Sequence, residues 1–101
     1  MKWYRRATQK NYPRAFNNLG FCYDKGHGVP QDSAKAAENY RTAALMGHAQ
    51  AMKNLAYCYR DGNGVKTDRH IFELLMKANE AQEKGLTSNA AALVKEALQN
   101  Q

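Results

Sequence analysis

Apolar residues recur along this chain at helical spacing, and strand-like alternation is absent. In segment 15–25, Ala15, Leu19, Cys22 and Tyr23 fall on one face, with Phe16 at its edge. Arg14, Asn17, Asn18, Phe21 and Lys25 mark the opposite face, and Gln50, Lys53, Asn54, Tyr57 and Asp61 repeat that second stripe later in the chain. These periodicities predict helices at about 2–10, 14–25, 33–46, 50–61, 69–84 and 88–99. Gly26 and Gly62 stand where a left-handed residue ends a helix, and a second glycine two places on lets each loop turn tightly. Val29 and Val65 are expected to plug these loops into the core. Asp32 or Ser33, and Asp68, are placed to cap the next helix through its free backbone N–H groups. Ala90, Ala91, Leu93, Val94, Ala97 and Leu98 predict a last helix that covers the end of the core.

The pattern is an internal repeat. Residues 15–29 lie over residues 51–65 at an offset of 36, with eight of fifteen positions identical: Ala15/Ala51, Asn18/Asn54, Leu19/Leu55, Cys22/Cys58, Tyr23/Tyr59, Gly26/Gly62, Gly28/Gly64 and Val29/Val65. Asp32/Asp68 extend the match, and Tyr4, Arg5 and Ala7 fall over Tyr40, Arg41 and Ala43. A period in the mid-thirties built from two helical segments is the mark of an α-solenoid, whose units cover one another's apolar faces.

Residues 15–47 read Ala-x-x-x-Leu-Gly-x-x-Tyr-x-x-Gly-x-Gly-Val-Pro-x-Asp and then Lys-Ala-x-x-x-Tyr-x-x-Ala-Ala-x-x-Gly. This resembles the Sel-one-like repeat, a relative of the tetratricopeptide repeat. Residues 51–68 carry its first half, and Trp3 to Ala7 look like the end of a preceding repeat, so the resemblance covers most of residues 2–85. Ala56 departs from the family's glycine, Asn11 stands where a repeat-closing glycine is expected, and the helix after Asp68 diverges. The resemblance implies an all-α, right-handed α-α superhelix of helical hairpins with a C-terminal capping helix. The chain then divides into the second helix of a partial repeat (1–12), repeat one (13–48), repeat two (49–85) and the cap (86–101), all in one domain. The apolar face of the opening helix would lie open to a partner, to self-association or, in a longer repeat array, to a further repeat.

Composition adds little to this picture, and charge adds one feature. The chain of 101 residues suits one domain. No apolar run approaches the roughly 18 residues of a membrane span, and no apolar run follows the basic residues at the start, so a cytoplasmic location is expected. The net charge is +6, and Lys2, Arg5, Arg6, Lys10 and Arg14 all precede the first acid, Asp24. Arg5, Arg6 and Lys10 therefore offer a second surface, able to hold nucleic acid or another anionic surface by counterion release. No stacking-aromatic motif or groove-entering module accompanies them, so nucleic acid is not the favoured partner.

Site chemistry of other kinds finds no support. Cys22 and Cys58 occupy equivalent places in stacked helices about 8–10 Å apart, too far for a disulfide. Some secreted members of the family carry a disulfide within each repeat, a pattern that one cysteine per repeat does not make; reduced thiols are expected. Cys22-x4-His27 and Cys58-x11-His70 match no zinc spacing, and Asn63 fills the loop slot of His27, so neither a metal nor a cofactor is expected. The acids are scattered, no nucleophile elbow surrounds Ser33 or Ser88, and Gly26-His27-Gly28 follows no strand, so there are no candidate catalytic residues and no enzyme is expected.

The candidate binding residues are Arg14, Asn17, Asn18, Phe21, Gln50, Lys53, Asn54 and Tyr57, on the helices expected to line the concave side. Phe21 and Tyr57 are large aromatics in register on a face that packing alone would leave polar; they either line a groove or pack against the adjacent helix. The resemblance implies a non-enzymatic adaptor or scaffold that docks a peptide or helix of a partner protein. Electrostatic binding through the basic end and a purely structural spacing role are the competing readings.

Overall fold

The computed structural model describes residues 13–99, which form five helices: α1 (Pro13–Lys25), α2 (Ser33–Leu45), α3 (Ala49–Asp61), α4 (Arg69–Glu83) and α5 (Thr87–Leu98). Each begins and ends within about one residue of the bounds its periodicity predicts. The helix expected over 2–10, with the open apolar face assigned to it, lies outside the described residues.

Local chemistry explains the boundaries. Pro13 opens α1, where its missing N–H is no loss and its fixed φ suits a helix. Asp32 and Asp68 cap α2 and α4: the Oδ1 atoms accept from the Lys35 N–H at 3.1 Å and the Ile71 N–H at 3.2 Å. The two Gly-x-Gly loops close with the same pair of backbone bonds. His27 N–H donates to the Cys22 carbonyl and Asn63 N–H to the Cys58 carbonyl, while Asp32 N–H reaches the Tyr23 carbonyl and Asp68 N–H the Tyr59 carbonyl. Gly26 and Gly62, at φ of 71° and 69°, supply the left-handed turn that these bonds require.

Packing follows chain order. Helices α1 and α2 form one hairpin, α3 and α4 a second, α2 joins the two, and α5 lies on α4 with a smaller contact to α2. Many of the interfacial residues are alanines (Ala36, Ala37, Ala43, Ala44, Ala51, Ala56, Ala78 and Ala90), which let backbones come close while Met52, Leu55, Leu75 and Val94 fill the space between. Helix α3 lies between its neighbours and is buried on most sides.

The two repeats are not buried alike. Leu55 is 1% exposed, whereas Leu19, its equivalent, is only half-buried, as are Cys22 and Tyr23 on the same stripe. Helix α3 has α2 on one side and α4 on the other, but α1 packs, among the described helices, mainly against α2. Val65 packs on the core as expected, while Val29 is half-buried in the corresponding loop.

Candidate functional site

Helices α1 and α3 are the first helices of successive hairpins, and a groove of about 580 Å³ runs between their C-terminal halves. Phe21, Asp24 and Lys25 of α1 form one wall; Asn54, Tyr57, Cys58, Arg60 and Asp61 of α3 form the other. Gln31 and Asn63 from the two loops and Tyr40 from α2 complete it.

Of the eight residues that the sequence singles out, the groove gathers three: Phe21, Asn54 and Tyr57. Phe21 is 45% exposed and meets the His27 ring edge-on, with centroids 5.6 Å apart. Tyr57 carries the Arg60 guanidinium over its ring at 4.7 Å, and Arg60 in turn gives Asp61 two hydrogen bonds, of 2.9 and 3.0 Å. Those bonds raise the pKa of Arg60 and lower that of Asp61.

Asn17 corrects the reading of the stripe. It is 8% exposed, and its Oδ1 accepts from Asn54 Nδ2 at 2.9 Å, so it is buried where it joins the repeats from inside. Asn54 Oδ1 accepts from Gln50 Nε2 at 3.4 Å within α3, so three amides are linked, one bond of them joining the hairpins. The Asn17–Asn54 bond links residues 37 apart, one more than the repeat, so α1 and α3 meet with a one-residue stagger and Asn54 pairs with the neighbour of its own equivalent, Asn18. Arg14, Asn18, Gln50 and Lys53 do not line the groove. Arg14 lies near His48, whose pKa is lowered by burial and then by the Arg14 charge. Arg5, Arg6 and Lys10 lie outside the described residues.

The sequence stripes missed the floor. Tyr40 is 4% exposed, and Cys58 is buried beside it. Burial, then the charges of Asp24 and the thiols, raise the Tyr40 pKa; burial, then Asp24 and Asp61, push Cys58 up to about 11. Both cysteines are free. Asp24 is tied to the second repeat by Asn63 Nδ2, which donates to its Oδ1 at 3.2 Å. One signal for Asp24 and Arg60 was present: they are repeat equivalents, each three residues beyond a groove aromatic. Among the described residues no cluster of His, Cys, Asp or Glu is placed to hold a metal ion, and no helix is long and apolar enough to cross a membrane.

Stacked helical hairpins with a groove between their first helices define an α-solenoid of tetratricopeptide-like units. The Sel1 repeat model matches residues 1–12, 13–48 and 49–71, and the chain belongs to the Sel1 repeat family. Its backbone is similar to the crystal structure of c5321, a protective antigen present in uropathogenic Escherichia coli strains that displays an SLR fold, at a TM-score of 0.74 and 27% identity. That match covers 97% of this chain and 25% of the other, so the chain spans about a quarter of the antigen's length. No curated protein matches the chain significantly. Sel1 repeats are in general non-catalytic modules of protein–protein interaction.

Proposed function

We propose that this chain is an adaptor or scaffold module that holds a peptide or helix of a partner protein in the groove between α1 and α3, on the concave side of the solenoid. The observation that carries the reading is the pair Phe21 and Tyr57. They are aromatics at equivalent repeat positions, and both line one groove of about 580 Å³. Aromatics at the centre of an interface supply much of its energy, commonly about 2 kcal/mol or more each. The Asn17–Asn54 bond ties α1 to α3, the two helices that wall the groove. The free thiols of Cys22 and Cys58 support a reducing compartment such as the cytoplasm as the site of action.

The reading is tested by selecting peptides from a random display library on the full chain and measuring their affinity for the double variant Phe21→Glu/Tyr57→Glu. Loss of binding with an unchanged circular-dichroism spectrum is expected. Affinity equal to that of the parent chain overturns the groove as the binding site.

A further inference from the structure

We infer that the groove recognises its partner through an arginine side chain, which stacks on Phe21 and pairs with Asp24; this rests on the peptide-binding reading above. The argument comes from comparing equivalent positions in the two repeats. Repeat two fills its place from within: an aromatic (Tyr57), a guanidinium stacked on it (Arg60) and a carboxylate holding that guanidinium with two bonds (Asp61). Repeat one has the aromatic, Phe21, but puts Asp24 where the arginine stands and Lys25 where the carboxylate stands. The carboxylate is present and the guanidinium is missing.

The surroundings leave room for that group. Asp24 has the most sheltered side chain of the groove's four charged residues, at 21% exposed against 55% for Lys25, 54% for Arg60 and 55% for Asp61. Lys25 meets it only at 3.6 Å through an exposed side chain. Tyr40 is 4% exposed and lines the groove beside Asp24. It offers a second oxygen to the five N–H donors of a guanidinium. Burial and then the Asp24 charge raise the Tyr40 and Cys58 pKa values, in keeping with a carboxylate close to the floor. A planar guanidinium can stack and pair together, which a lysine ammonium cannot do as well. An acidic side chain would face Asp24 and would have to displace Asp61 from Arg60.

The experiment uses the display-selected peptides and the full chain, with affinities read by fluorescence anisotropy. Arginine should be enriched at one peptide position, and its replacement by Glu should weaken binding about tenfold or more. Asp24→Asn, which keeps the shape and the oxygen that Asn63 uses, should cost a similar factor, and Asp24→Lys should recover the Glu-bearing peptide. Peptides that need Phe21 and Tyr57 but show no arginine preference, or that bind Asp24→Asn as well as the parent, overturn the arginine proposal and leave the groove standing. A selection that yields no binding peptide overturns both.

Discussion

The Tyr40 ring lies against the backbone of Gly20, so close that a methyl group on that α-carbon would sit 2.7 Å from Cδ1 and 3.1 Å from the Ala36 carbonyl oxygen. The glycine of repeat one is thus the counterpart of a tyrosine on the facing helix. Repeat two has Ala56 and Met76 at the equivalent positions, where an unbranched, flexible side chain replaces the rigid ring. The departure from the family pattern at Ala56 is matched by a change at the position it would face.

Gly20→Ala is therefore expected to destabilise the fold by about 1–3 kcal/mol through overpacking, despite alanine's better helix propensity. Tyr40→Met in the same chain should recover much of the loss. Urea denaturation of both single variants and the double variant measures the coupling, and additive effects would show that the ring does not set the glycine requirement.

The loop glycines should separate two costs. Gly28 and Gly64 have φ of 77° and 81°, so either substitution by alanine incurs about 1–2 kcal/mol of left-handed strain. A Cβ on Gly64 would also run into the Ser33 carbonyl and the Ala34 N–H at the start of α2, whereas one on Gly28 meets nothing within 4 Å among the described residues. Gly64→Ala should lower the melting temperature clearly more than Gly28→Ala, because it alone pushes the repeats apart.

Asn54→Ala removes the donor that satisfies the buried Asn17 Oδ1, and a loss of about 1–3 kcal/mol is expected. Once Asn54 is gone, Asn17→Ala should add little. A double-mutant cycle by chemical denaturation reads this coupling, and independent effects would show that the bond contributes nothing.

The raised Cys58 and Tyr40 pKa values set an alkaline limit. Unfolded Cys58 releases its proton near its ordinary value of 9.0, but in the folded chain it holds it up to about 11. The folded state therefore binds more protons across that interval, so this contribution to stability is intact below pH 9 and declines as pH rises towards 11. Tyr40 acts in the same direction from its ordinary value of 10.0 upward. The urea midpoint should fall between about pH 8 and pH 10.5, less steeply in Cys58→Ala. At about pH 8 burial keeps the Cys58 thiol protonated and covered, so iodoacetamide should label it slowly until the chain unfolds; labelling at the rate of a free thiol would contradict the burial.

The sequence alone carried the repeat, the helix bounds and the caps, because each rests on short-range chemistry: a proline or aspartate at a helix start, a left-handed glycine at its end, apolar residues on one face. It also marked Phe21 and Tyr57, since a repeat offset converts one-dimensional position into a shared face. What it misassigned required knowing which helix stands opposite. Asn17 looked like surface because its stripe is polar, yet the stagger between α1 and α3 buries it against Asn54. Leu19 looked as well covered as Leu55, but burial depends on neighbours from both sides. Tyr40 stood in the sequence only as a repeat-pattern tyrosine of the second helix, and only the fit of α2 beneath the first helices makes it the floor of a groove. Helix formation is settled within a few residues, whereas exposure and pairing depend on contacts between residues about one repeat apart, and those exist only once the hairpins have packed.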